Sequence, residues 1–199
     1  MNQFLPFALF AFVASITPGP TNILVLSNSA RFGLAAAVPI ILGGCSAAAT
    51  IVLLVGLGAG EWLLDHPPIQ QAMAWFGLAW LLYLAWQIAR SPVDPIAADS
   101  AAKRLGSVGA ASLQLVNPKT WMMAFAVVSL FAGADAGADA GAAGYASYAL
   151  VFFLISIPCL AAWALLGRGA ARVLRSAAHM RRFNQAMALL LVVSAWLSL

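Results

Sequence analysis

Asn117-Pro118-Lys119-Thr120 lies inside a long apolar run, Ser107 to Ala132, and one hundred positions earlier Thr17-Pro18-Gly19-Pro20-Thr21-Asn22 interrupts another. Lys119 is the only Lys or Arg inside such a run; every other one lies between runs. A charge at membrane depth is costly and marks a functional site by default. Two helix-breaking motifs in matching places, one with a buried cation, point to a site for moving a solute.

Of the 199 residues, 63% are hydrophobic and 8% charged, and the mean hydropathy is +0.94. A soluble globule of this size needs a polar exterior that this composition cannot supply. The chain reads as an all-α polytopic membrane protein with a single domain. The net charge of +4 does not imply nucleic-acid binding, because its meaning depends on which side of the bilayer holds the charges. The start, Met1-Asn2-Gln3, has no positive n-region, so the first run reads as a span rather than a cleaved signal.

A spanning helix takes about 20 mostly apolar residues. Six runs meet or approach that length, at about 3–29, 34–59, 69–89, 107–132, 145–167 and 183–199. They are continuous rather than alternating, which disfavours a barrel. Arg31, Arg90, Lys103, Arg104, Arg168, Arg172, Arg175, Arg181 and Arg182 fall in the first, third and fifth loops, whereas the second and fourth carry Glu61, Asp65, Asp135 and Asp139. The positive-inside rule puts the basic loops in the cytoplasm and both termini in the periplasm.

A shift of 100 residues lays Pro18 on Pro118 and Gly33 on Gly133. Each half holds three spans, an odd number, so the second half enters from the opposite side. This is an inverted-topology repeat, the architecture of many secondary transporters. Repeat one covers about 1–90, a cytoplasmic linker about 91–106, and repeat two about 107–199. Each proline precedes its glycine by 15 residues, roughly 22 Å at about 1.5 Å per residue, which puts both prolines well inside a core about 30 Å thick.

Proline removes an N–H and clashes with the preceding turn, and backbone groups freed in lipid must find protein, water or ligand. A break at Pro18 and Pro20 therefore implies a packed or hydrated pocket. The helix restarting there would aim its N-terminal amides into that pocket, where a carboxylate is favoured. Lys119 adds a full positive charge, and Thr17, Asn22, Asn117 and Thr120 supply neutral hydrogen-bonding groups. The candidate binding set is Thr17, Pro18, Gly19, Pro20, Asn22, Asn117, Pro118 and Lys119. For Thr17 and Asn22 the plainer reading is local bonding at a helix break; for Lys119 it is snorkelling to an interface. Gly56 and Gly60, spaced G-x-x-x-G, read as a close-packing face. Trp62 and Trp196 read as interfacial residues, and Trp75, Trp80 and Trp86 as lipid-facing or packed. The chain's only lysines, Lys103 and Lys119, follow Ala102 and Pro118. No Gly-Lys-Ser/Thr phosphate loop exists, so an ATP-driven mechanism is set aside.

The residues Thr17-Pro18-Gly19-Pro20-Thr21-Asn22, Gly33 and Asn117-Pro118-Lys119-Thr120 resemble the LysE/RhtB amino-acid exporters in motif, order and length. The resemblance implies export of amino acids from the bacterial cytoplasm across the inner membrane, driven by the proton-motive force. It also implies that both proline motifs line the translocation site. The partners implied are an amino-acid substrate, protons as coupling ion and the lipid bilayer. No cofactor, no enzymatic activity and no nucleic acid is expected, and a homodimer is compatible with the sequence. Lysine-exporting members carry an Asp in span two, near Gly44-Cys45-Ser46 here. With no acid in any of the six runs, a cationic side chain would lack a partner in a low-dielectric site. That favours a neutral amino acid of homoserine, threonine or branched-chain type, and leaves Lys119 as the ionisable candidate for proton coupling. Two other readings are a thiol–disulfide electron carrier using Cys45 and Cys159, which fall in corresponding spans, and a non-transporting scaffold.

Overall fold

A computed structural model describes residues 4–90, 106–132, 141–173 and 176–196. The linker apart from Gly106, and the fourth loop with Gly133, Asp135 and Asp139, lie outside these residues. The described chain is helical throughout. Its elements are α1 (Phe4–Ile16), α2 (Pro20–Phe32), α3 (Leu34–Leu54), α4 (Gly60–Leu64), α5 (Pro67–Ala89), α6 (Ser107–Val116), α7 (Pro118–Val127), α8 (Gly141–Val173) and α9 (Ala177–Trp196).

Among the described residues three helices are long and apolar enough to cross a membrane: Leu34–Leu63, Pro67–Ala89 and Ala142–Ala170. The pair Leu5–Ile16 and Pro20–Phe32, bent by 55° at its break, makes a fourth candidate when counted as one span. The run expected as one span at 107–132 is two short helices divided at Asn117, and α9 starts six residues before the sixth expected span.

Proline chemistry sets both breaks. α1 makes its last turn with Thr17 N donating to Val13 O at 3.0 Å, and Pro18, with no N–H, cannot continue it. Gly19 is extended (φ −161°, ψ 176°) and Pro20 opens α2, a first-turn position where its missing N–H costs nothing. Asn117 is also extended (φ −87°, ψ 108°), as a residue preceding proline prefers. Its side chain accepts from Lys119 N at 3.2 Å, capping α7. Gly33 ends α2 at φ +83°, a conformation nearly closed to other residues.

Other expected boundaries move for one reason: polar residues end an apolar run without ending a helix. α8 runs on past Arg168, and α9 contains Arg181 and Arg182. α3 continues through a π-helical turn, Val55–Ala59, into α4, so Glu61 stands near the end of that long helix. Gly58 in the turn has φ +103°.

α8 and α3 form the middle of the molecule. α8 packs along α2, α3 and α1; α3 packs along α6; α9 packs along α5. One apolar cluster centres on Phe7, Ile51, Val127 and Phe152, and a second on Val25, Ile40, Cys45 and Leu160. Gly56 and Gly60 admit the rings of Tyr145 and Phe125, so here the G-x-x-x-G pair receives aromatic side chains. Trp75 and Trp86 are exposed, as a lipid-facing surface requires.

Candidate functional site

The two breaks face each other, and each supplies what the other lacks. At the end of α1 a run of carbonyls has no helical partner. Asn22 Nδ2 donates to Ser15 O at 2.9 Å, Trp163 Nε1 to Ile16 O at 3.0 Å, and Lys119 Nζ to Thr17 O at 3.0 Å. The ammonium thus sits at the negative end of α1, where a cation is favoured. It also lies beside the start of α2. A Cβ built on Gly19 would come within 3.1 Å of Lys119 Nζ. Glycine is needed there for close approach, since its extended backbone suits any residue.

α7 starts with a cap from Asn117; α2 starts at Gly19, which has no side chain to offer. The first amides of α2 therefore face the space beside Lys119 uncapped. That space is a small, partly open cavity of about 40 Å³. Gly19, Pro20, Thr21 and Asn22 line it from the first break, Asn117, Lys119 and Thr120 from the second. Gly44 and Cys45 of α3 and Phe152 and Ser156 of α8 also contribute to the walls.

Of the candidate residues, Gly19, Pro20, Asn22, Asn117 and Lys119 line the cavity, and Thr17, Pro18 and Pro118 do not. Thr17 turns its hydroxyl back to Val13 O and meets Lys119 through its carbonyl. Thr17 and Pro18 are exposed, whereas Gly19 and Pro20 are buried. Pro118 borders a second, larger cavity of about 610 Å³, between the first turns of α5 and α7.

Three polar wall residues lie outside the candidate binding set and carry weight here: Gln114, Ser15 and Thr21, the last within the first break motif. Gln114 is the hub of the second break. Its Oε1 accepts from Thr120 Oγ1 at 2.7 Å and Asn117 Nδ2 at 3.2 Å, while its Nε2 donates to Gly44 O at 3.4 Å. Ser15 and Thr21 line the cavity with buried hydroxyls that have no hydrogen-bond partner among the described residues. Buried polar atoms are rarely left so, and such exceptions call for water or ligand. The only hint in the sequence was a polar residue within four positions of each break.

Cys45 and Cys159 are free and buried. Cys45 is a cavity wall residue, and Cys159 Sγ points to Phe12 O at 3.9 Å.

The family model for LysE type translocators matches residues 12–197. A cysteine/O-acetylserine efflux protein of Salmonella choleraesuis (strain SC-B67) is 32% identical over 95% of this chain and 93% of its own length. A protein of the same description from Escherichia coli (strain K12) is 29% identical over the same shares. No solved structure matches. With the apolar helices already described, these similarities make the chain a multi-pass membrane protein, and it belongs to the LysE-type translocators, a family of amino-acid efflux transporters.

Proposed function

We propose that this chain exports small neutral amino acids across the bacterial inner membrane, from cytoplasm to periplasm. Two inverted three-span repeats alternate access to the cavity between the breaks, driven by the proton-motive force, with both termini periplasmic. The observation that carries this reading is the position of Lys119 Nζ, beside the uncapped start of α2 and in a small cavity where polar groups from both breaks meet apolar walls.

The substrate carboxylate takes the place of Thr17 O at Lys119 and receives the free amides of α2, which together form an anion site. The hydroxyls of Ser15 and Thr21 are the unused acceptors nearby, suited to the substrate ammonium. No acid lines the cavity, so a cationic side chain would enter unpaired, which is costly. The cavity of about 40 Å³ has room for a few waters, at about 10–15 Å³ each, and is smaller than an amino acid. Loading therefore requires the breaks to part, and Lys119 releases Thr17 as they do. Lys119 is the lining group suited to gain and lose a proton during the cycle.

The names of the relatives favour cysteine and O-acetylserine over the homoserine, threonine or branched-chain substrates expected from the sequence. The tight cavity also suits a small side chain. A competition screen in proteoliposomes with an imposed pH gradient tests the reading. Cysteine and O-acetylserine should compete best, lysine and arginine should not compete, and collapsing the gradient should stop uptake against a concentration difference. Preferred transport of lysine, or indifference to the gradient, would refute the corresponding part.

A further inference from the structure

We propose that the cavity of about 610 Å³ between α5 and α7 is the outward vestibule of the translocation path, a hydrated chamber crossed by the exported amino acid after it leaves Lys119. The proposal rests on the export reading above and adds the exit route and the state in which the molecule is held.

Its position follows from the chain. Pro67, Gln71 and Ala74 line it from the beginning of α5, just after Glu61 and Asp65, and Pro118, Trp121 and Met122 line it from α7. α7 runs from the mid-membrane break towards the loop that carries Asp135 and Asp139. The cavity thus lies on the acidic-loop side, away from the arginines. Successive residues of one turn divide the two cavities: Pro118 borders the large one, Lys119 the small one.

The repeat supplies the second argument. Under the 100-residue shift α7 is the counterpart of α2, and α5 precedes the linker as α9 ends the chain. α2 is buried at ten of its thirteen residues, whereas α7 is buried at three of ten, Thr120, Ala124 and Val127. On the basic side α2 packs against α3, α8 and α9, with Gly167 against the backbone of Leu26 and Ser29 Oγ donating to Ala164 O at 2.6 Å. On the acidic side, where α7 would meet α5 in the same manner, there is a void. The inner half is closed and the outer half is parted. Inverted repeats that exchange such packings alternate access around a fixed site, so closing the void brings the opposite state.

One lining residue calls for water rather than lipid in this space. Gln71 lines it with an exposed polar amide, and such an amide facing hydrocarbon is costly. A volume of about 610 Å³ also falls in the usual range of small-ligand sites, about 300–1,000 Å³.

The test is labelling of single-cysteine variants in intact cells with a membrane-impermeant, sulfonate-bearing methanethiosulfonate added outside. Met122→Cys and Gln71→Cys should react at least tenfold faster than Leu150→Cys, an exposed position on α8 away from the cavity, and than the unsubstituted chain with its two buried cysteines. Reaction at Met122→Cys should also block export. Labelling no faster than at Leu150→Cys would mean a lipid-filled groove and overturn the proposal, as would labelling only from the cytoplasmic side. If one variant fails to accumulate, the other gives the same readout. Failure of the Lys119 reading shows separately, as normal export by a Lys119 variant with vestibule labelling unchanged.

Discussion

Lys119 Nζ donates to the carbonyl oxygen of Thr17 at 3.0 Å, so the side chain of the second break completes the backbone of the first. The 100-residue shift lays Lys119 on Gly19, and Lys119 occupies the space that Gly19 leaves empty. One break supplies the cation and the other supplies the room for it. A strictly symmetric pair, two lysines or two glycines, would give repulsion or an unfilled gap.

Substituting Gly19 therefore acts through Lys119. Gly19→Val should reduce export by tenfold or more while leaving the amount of inserted protein nearly unchanged, because the extended backbone accepts any residue. Flux normalised to membrane protein checks this. Loss of the protein itself would mean that Gly19 serves folding instead.

Gln114 holds the second break together. Gln114→Leu strands the Thr120 hydroxyl and the Asn117 amide, and each buried unsatisfied group costs about 1–3 kcal/mol. The expected result is a clear loss of thermal stability in detergent together with impaired export. Unchanged melting would show that the network is not needed to hold the break.

Gly33 makes the opposite case, stability without transport chemistry. At φ +83° and ψ 173° a side chain strains the turn between α2 and α3 by about 1–3 kcal/mol. Gly33→Ala should lower the melting temperature yet keep the wild-type order of substrates. A changed substrate order would implicate the turn in selectivity.

Under the proposed function the apolar walls limit substrate size. Phe152 is 2% exposed and borders the cavity of about 40 Å³. Phe152→Leu should let larger neutral amino acids such as leucine compete with cysteine, which a competition assay reads directly. No broadening would place the size limit elsewhere.

Both breaks, the glycine that ends the first span and the one charge within the apolar runs were legible in the sequence, because proline, glycine and lysine have strong, local effects in a membrane. Gln114 and Ser15 were not, since a lone polar residue in an apolar run looks alike whether it bonds its own helix or faces a cavity. Trp163 was also missed: its bond to Ile16 O spans 147 residues, and no local pattern announces a partner so distant. Helix ends were misjudged at Arg168, Arg181 and Arg182, where the apolar run stops but the helix continues into a polar phase.

The central claim is that Lys119 binds the substrate carboxylate. Its most direct test is equilibrium binding and flux of radiolabelled cysteine with purified Lys119→Met in proteoliposomes, with insertion checked by protease accessibility. The account predicts normal insertion, binding weakened at least tenfold and no measurable export, with partial recovery in Lys119→Arg. Binding and export by Lys119→Met at wild-type rates would contradict it.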